Sequence, residues 1–197
     1  MSLATELATR HRFSAREYRQ MAESGVFGED ERLELVEGEI VEMSPIGPRH
    51  MEAVIALNAL LLPQLVDRYD VSIQMPLGTD PSGETQPDFT LLRKDRVKGR
   101  IPGGPDTALV VEVSDTSLRY DRQVKSPLYA RAGVPELWIV NLVDDVVEVS
   151  TEPAPDGYGA TIRVARGQRV DSPTVPGISF DADDVLPPRT ETQALRS

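Results

Sequence analysis

Asp88, Glu112 and Lys125 put two carboxylates and an ammonium on successive stretches of one segment, Gln86 to Tyr129. Glu112 is the most telling of the three. It lies inside the run Ala108-Leu109-Val110-Val111-Glu112-Val113, which reads as a strand buried on both faces because it lacks polar alternation. A carboxylate there is costly unless a cation, a set of hydrogen bonds or a raised pKa compensates it. Asp88 follows Pro87 at the start of the preceding strand. If the two strands are neighbours, the carboxylates converge on one site. Two carboxylates completed by waters suit a hard divalent ion, Mg2+ or Mn2+. Such an ion would offset the burial of Glu112, turn a bound water into a better nucleophile and spread the charge that develops on phosphate. A lysine beside it would orient the water or stabilise the transition-state charge.

Each of these residues also has a plainer reading. Asp121 and Lys125 are an ordinary i, i+4 helix pair, worth roughly a few tenths of a kcal/mol. Asp88 could cap a turn, and Trp138 reads as core. Pattern alone does not choose between the two sets of readings.

The elements that must position these residues follow in chain order. Ser14-Ala15-Arg16-Glu17 is a capping box, and Gly25 stops the short helix behind it. Residues 32–36 and 39–43 flank Glu37-Gly38, a hairpin signal with glycine free to take a positive φ. Glu34 in the first arm reads as a solvated strand carboxylate. Arg49 to Asp67 reads as a long helix with Met51, Val54, Ile55, Leu57, Leu61, Leu62 and Leu65 on its apolar face, kinked or split by Pro63. His50 stands in its first turn, where a lone histidine is more often a cap or packing residue than a ligand. A short strand at 71–75, a turn-rich segment at 77–85 and a strand at 87–92 follow. The one basic stretch is Arg93, Lys94, Arg96, Lys98 and Arg100; such a loop is usually just solvated, yet it is the obvious place for this chain to touch phosphate. After the Glu112 strand, a helix runs from Leu118 to Ala132 and puts Asp121, Lys125 and Tyr129 on one stripe. Pro135 to Val140 is another buried strand. The Glu112 strand, that helix and the Trp138 strand form a β-α-β unit, which predicts a parallel pair. Strands at 146–150, 157–166 and 168–170 complete the chain. The fold class is therefore α/β: an α+β mixed sheet with flanking helices and added β-hairpins.

The 197 residues fit a flexible N-terminus over 1–12, one domain over 13–186 and a disordered tail over 187–197. There is no cysteine and only two histidines, so disulfides and thiolate or histidine-rich zinc sites are out. No apolar run approaches a membrane span, and no basic-then-apolar leader opens the chain, which predicts a cytoplasmic protein. The net charge of −11 argues against a general DNA-coating role without excluding a local basic cleft.

Several pieces, in this order, resemble the Uma-two family of restriction-endonuclease-like proteins. They are Leu33-Glu34-Leu35-Val36-Glu37-Gly38-Glu39-Ile40, Met43-Ser44-Pro45 with His50, Pro87-Asp88, Val110-Val111-Glu112-Val113-Ser114, Asp121 with Lys125 and Tyr129, and Gly133 to Val140. More broadly, Pro87-Asp88 with Glu112-Val113-Ser114 looks like the PD-(D/E)XK nuclease signature. The resemblance implies a restriction-endonuclease-like core and a Mg2+-dependent phosphodiesterase site. Asp88 and Glu112 match its metal carboxylates, and Glu34 matches an upstream acidic position. Ser114 stands where the signature has its lysine; the family supplies that lysine from the next helix, where Lys125 matches it. His50 and Tyr129 match positions to which the resemblance gives no role.

The leading expectation is a metal-dependent endonuclease that hydrolyses DNA phosphodiester bonds; a homodimer would help by pairing two basic loops. The alternative is a binding or regulatory module that keeps the nuclease fold without cutting, for which Ser114 in place of lysine is the best support. A third reading is the same metal site acting on another phosphate ester.

Overall fold

The computed structural model describes residues 9–28 and 30–188. Of the ends expected to be free of structure, 1–8 and 189–197 lie outside the described residues. Helix α1 is Ala15–Glu23, capped as its sequence requires: the Ser14 hydroxyl accepts from the Glu17 amide and the Glu17 carboxylate accepts from the Ser14 amide. Strands β1 (Leu33–Val36) and β2 (Glu39–Glu42) form the expected hairpin. Its turn takes positive φ at both Glu37 (50°) and Gly38 (79°), the conformation a two-residue hairpin loop needs. A Cβ on Gly38 would also stand 2.6 Å from the Arg12 Cβ, so glycine is demanded twice there.

Helix α2, Pro48–Leu65, departs from expectation in two ways. It runs through Pro63 unbroken, because that proline is exposed in the last turn and only two residues follow it in the helix. Its buried stripe is Ala53, Leu57, Leu61 and Leu65, whereas Met51 and Ile55 face outward. This helix is apolar on most of its circumference, so periodicity alone does not select the buried face.

The remaining strands are β3 (Tyr69–Ser72), β4 (Leu77–Asp80), β5 (Gly83–Thr85), β6 (Phe89–Arg93), β7 (Thr107–Ser114), β8 (Glu136–Asn141), β9 (Val146–Ala154), β10 (Gly157–Ala165), β11 (Arg169–Asp171) and β12 (Ser179–Asp181). Six of them make the central sheet in the order β10-β9-β8-β7-β6-β3. β7 and β8 are its parallel pair, joined by the helix between them as the β-α-β reading requires, and its other neighbours are antiparallel. A second sheet runs β2-β1-β5-β4. The segment 77–85 thus builds two short strands within what was expected as a turn-rich segment. Its strands are only four and three residues long and are crowded by Gly78, Asp80, Pro81 and Gly83, so turn residues dominate the local signal.

Both faces of the central sheet are covered. Against one lie α2 and the C-terminal segment, with Leu57, Leu61, Val111, Trp138 and Phe180 in one cluster. Against the other lie Tyr129 and Leu77, packed on Val110, Leu137 and Ile139. Every residue of β7 is buried, which is why its sequence shows no alternation.

The connection from β7 to β8 is a helical segment, α3, over 118–131, and it is not a single α-helix. It has an α turn at Leu118–Tyr120, a π turn at Asp121–Lys125 and an α-helix at Ser126–Arg131. Pro127 lacks the amide that would bond the Gln123 carbonyl in an α-helix. The Ser126 amide instead reaches the Asp121 carbonyl, five residues back. Arg122, in this turn, tethers it to the sheet by donating from Nε to Glu148 of β9 at 2.9 Å. Burial alone would raise the Glu148 pKa, but Arg122 and the Asn141 amide outweigh it and hold the carboxyl below its usual range. A carboxylate whose folded pKa is depressed gives stability that is present above its unfolded pKa and lost as pH falls through the folded one. Arg122→Gln is therefore expected to lower Tm at neutral pH, with the gap to wild type closing in acid. Calorimetry across pH checks this; a gap that does not narrow at all as pH falls from neutral to about pH 2, through the range in which a depressed carboxylate is protonated, would reject the assignment.

Candidate active site

The parallel pair and its crossover leave a cavity of ≈ 530 Å³ between α3, the loop 43–47 and the β1–β2 hairpin of the second sheet. Glu34, His50, Asp88, Glu112, Asp121 and Lys125 all line it. The condition on which the sequence argument rested is met: β6 and β7 are neighbours, with Phe89 opposite Val111. Asp88 and Glu112 come next in that register, on the face opposite the Phe89 and Val111 core contacts. The chemistry-bearing groups lie deep, Asp88 at 6%, Glu112 and Lys125 at 4% and Glu34 at 1% exposure.

Glu112 faces Lys125 and Tyr129. Lys125 Nζ lies 3.2 Å from Glu112 Oε1, and the Tyr129 hydroxyl donates to the same oxygen at 2.5 Å. Tyr129 also lies 3.2 Å from Thr85 Oγ1. Both side-chain contacts fall on Oε1, which leaves Oε2 for a ligand. Burial pushes the Glu112 carboxyl well up; Lys125 opposes this, while the charges of Asp121, Asp88 and Glu34 add to it. Lys125 also lies 2.9 Å from Glu34 Oε1, whose other partner is the Gln86 amide at 2.7 Å. Glu34 is therefore not the solvated carboxylate of its plain pattern reading: it is the second anion on Lys125. Burial alone would depress Lys125, and its carboxylates reverse that and raise it.

Asp88 is held differently. Its Oδ1 receives His50 Nε2 at 2.9 Å and the Gln74 amide at 3.2 Å, and its Oδ2 accepts from the Val113 amide at 2.9 Å. Burial would raise its pKa, but the hydrogen bond and charge of His50, with Val113 and Gln74, hold it below the usual carboxylate range. So His50 is a partner of the site and not merely a cap. The two carboxylates have opposite leanings, one kept ionised by donors and the other carried upward by burial among anions.

Asp121 and Lys125 do not form the i, i+4 pair that their spacing allows. Asp121 Oδ2 accepts from Ser114 and Ser117, each at 2.6 Å, and Lys125 goes to the glutamates. The π turn between them is the reason, since it breaks the α-helical stripe on which the expectation stood. Ser114, at the position of the missing signature lysine, fastens β7 to the start of this turn.

Sequence reasoning missed Gln74, Tyr120, Arg32 and Arg119. Gln74 sits at φ 50°, outside β3, and turns its side chain to Asp88; a strand reading of 71–75 hides it. Tyr120 puts a buried hydroxyl with no hydrogen-bond partner on the cavity wall. Arg32 and Arg119 line the same cavity.

The basic loop is not brought to this site. Arg93 ends β6, five residues from Asp88, roughly 16 Å along the strand. Arg96 and Lys98 pair with Asp70, Arg100 pairs with Asp106, and Lys94 donates to the Asp67 carbonyl. A dimer that joined two such loops would join Arg96 and Arg100 already paired within the chain. Among the described residues no group of three or more His, Asp or Glu side chains forms a ready metal cage, and no helix is long and apolar enough to cross a membrane.

A family model described as "Uma2: Putative restriction endonuclease" matches residues 15–183. No curated protein matches. Among solved structures, the chain is similar to one described as a putative nuclease belonging to DUF820 from Anabaena variabilis ATCC 29413. The TM-score is 0.63 at 13% identity, over 88% of this chain and 97% of that one. At that identity the likeness is one of fold, and the fold is mixed α/β and restriction-endonuclease-like. The type IIG restriction endonuclease BpuSI is 20% identical over 55% of this chain and 13% of its own length, with a TM-score of 0.35, too low to carry an argument.

Proposed function

From the premise that the chain belongs to the Uma2 family of restriction-endonuclease-like proteins, we propose that it is a metal-dependent nuclease that hydrolyses DNA phosphodiester bonds at the Asp88–Glu112–Lys125 site. The observation that carries this reading is Lys125. It arrives from α3, not from the strand, yet its Nζ stands 3.2 Å from Glu112, beside a carboxylate that Asp88 joins across the β6–β7 ladder. That placement supports the reading even with Ser114 at the signature position.

The donor set fits a hard divalent cation. Asp88 is held ionised, Glu112 keeps Oε2 free of protein donors, and both line an open cavity where waters can complete the shell. Asp88 and Glu112 would hold Mg2+ or Mn2+. When bound, the ion supplies Lewis acidity to the phosphoryl oxygen and a more acidic water. The chain's own residues do the rest. His50 and Gln74 fix the Asp88 carboxylate, so its free lone pairs point one way. Tyr129 and Lys125 do the same for Glu112 and leave one oxygen for the ligand. Lys125 places positive charge where the phosphorane-like charge develops, and Glu34 holds it there.

A second reading has one observation behind it. Glu34, Lys125, Glu112 and Tyr129 satisfy one another, as they would in a module that keeps the fold without cutting. Cleavage of single-stranded and plasmid DNA with Mg2+ or Mn2+, against an EDTA control, separates the two. The nuclease reading expects cutting that chelation stops. No cutting, together with no heat of Mg2+ or Mn2+ binding by calorimetry, would leave the binding module.

A further inference from the structure

The cations of this chain are unevenly employed. Those of the basic loop are turned to Asp70, Asp106 and the Asp67 carbonyl. Arg32 and Arg119 line the cavity instead, and among the described residues neither makes an ion pair. Arg32 has one long contact to the Ser44 carbonyl at 3.4 Å, and Arg119 gives only its Nε, to Gln123 at 3.1 Å. In a chain of net charge −11, two arginines left without a carboxylate at this acidic cavity call for an anion. They approach it from two elements: Arg32 lies two residues before Glu34, and Arg119 sits in the first turn of α3. Next to Arg119, the Tyr120 hydroxyl is buried without a partner, with Glu34, Lys125, Asp121 and Glu112 as the charges around it. A buried hydroxyl in a polar cavity is completed by water or by a ligand oxygen.

Depth decides what form of substrate this suits. The carboxylates and Lys125 are at most 6% exposed, at the floor of a ≈ 530 Å³ cavity. A duplex is stiff over about 150 base pairs and cannot lower one phosphate into such a space without deformation. A single strand can, and two arginines match the short run of phosphates that would enter. The basic loop lies at the far end of β6, with Arg96 and Arg100 already paired to Asp70 and Asp106, so it does not lead a strand into this cavity.

We propose that the site takes single-stranded or unpaired DNA in preference to intact duplex, with Arg32 and Arg119 holding phosphates beside the scissile one and the Tyr120 hydroxyl donating to the strand. This rests on the nuclease reading and adds to it the form of the substrate and the residues that select it. Burial keeps Tyr120 a donor, its pKa being pushed up to about 12.

The experiment uses a fluorescein-labelled single strand, the same sequence as a blunt duplex, and closed circular plasmid. Binding is read by anisotropy in Ca2+ over a salt series, and cleavage in Mg2+ or Mn2+. Wild type is expected to bind and cut the single strand at least tenfold better than the duplex. Arg32→Gln/Arg119→Gln should raise KM about tenfold, more than it lowers kcat. It should also flatten the salt dependence of binding by about 1.4, two contacts at about 0.7 each for single strands. Tyr120→Phe should weaken single-strand binding several-fold without altering the salt slope. Both arginines are at least partly exposed, so the fold should survive, and circular dichroism checks it. Duplex and plasmid cut as well as the single strand, or an unchanged affinity and salt slope in the double variant, would overturn the inference while leaving the nuclease reading standing. A wild type that neither binds nor cuts any of the three overturns the nuclease reading, and this inference falls with it.

Discussion

Lys125→Met is expected to stop metal-dependent cleavage, lowering kcat by about 10³-fold, and to destabilise the protein at the same time. The ammonium stands 2.9 Å from Glu34 and 3.2 Å from Glu112, all three nearly inaccessible to water. Removing the cation leaves two buried carboxylates facing each other, and breaking a buried pair in this way costs about 3–5 kcal/mol. A loss of cutting in that single variant therefore has two explanations. Glu34→Gln/Lys125→Met separates them. It removes one positive and one negative charge together, so most of the lost stability should return, and a chemical role for Lys125 predicts that cleavage does not. Thermal melts and cleavage of the same preparations decide the matter. A double variant that regains both stability and cutting would show Lys125 to be a structural counter-ion, and the reaction would have to be assigned without it. Glu112→Gln completes the set: it keeps shape and the contact to Tyr129 but should abolish both cutting and the calorimetric signal of Mn2+ binding.

What could be read in the sequence divides along physical lines. β7 was legible because a strand buried on both faces has no polar alternation, and Glu112 stood out against that background. The β1–β2 hairpin was legible because Glu37-Gly38 can take positive φ, and the parallel β7–β8 pair because only a long crossover can join such strands. Lys125 was identified through resemblance, not spacing; spacing alone would have given it to Asp121. The π turn is the missing term, and its local cause, Pro127, gives no signal until the helix is known to continue through it. Gln74 and Tyr120 were hidden for another reason. Each reaches the cavity through a backbone conformation or a chain packing that no local pattern encodes, Gln74 from a residue at φ 50°. The face of α2 was misjudged because an apolar helix offers several stripes, and tertiary packing alone selects Ala53, Leu57, Leu61 and Leu65. The basic loop shows the limit of composition. It is basic in sequence, yet in space Arg96 and Arg100 are turned to Asp70 and Asp106, which are distant or unremarkable in the linear pattern.

Glu136→Ala is expected to destabilise the protein by several kcal/mol and to leave the chemistry alone. Glu136 opens β8 with no exposure at all, and its side chain belongs to the Trp138 face of the sheet, opposite the face of Glu112. Its Oε1 accepts from the Trp138 indole at 2.5 Å. Its Oε2 accepts from Ser172 at 2.7 Å, from the Thr174 amide at 3.0 Å and from the Thr174 hydroxyl. One carboxylate thus ties the C-terminal segment, which carries Val175, Ile178 and Phe180 into the main core, to the strand that pairs with β7. Truncation leaves the buried indole without an acceptor and removes the acceptor of the Thr174 amide on an exposed residue, while the two hydroxyls can turn elsewhere. At about 1–3 kcal/mol for the orphaned indole and about 1 kcal/mol for the lost amide bond, the cost is about 3 kcal/mol. For a chain of this length that is roughly 6–12 °C in Tm. Glu136→Gln should recover only part of it, because its amide nitrogen must meet either Trp138 or the Ser172–Thr174 donors. Measured well below its own Tm, Glu136→Ala should retain the metal dependence and kcat of the wild type. A carboxylate buried as deeply as Glu112 would then be separated from it by function: Glu136 answers its burial with four fixed donors, whereas Glu112 keeps an oxygen free. A fall in kcat at low temperature with Tm unchanged would contradict that division, and would mean that Glu136 reaches the reaction through β8.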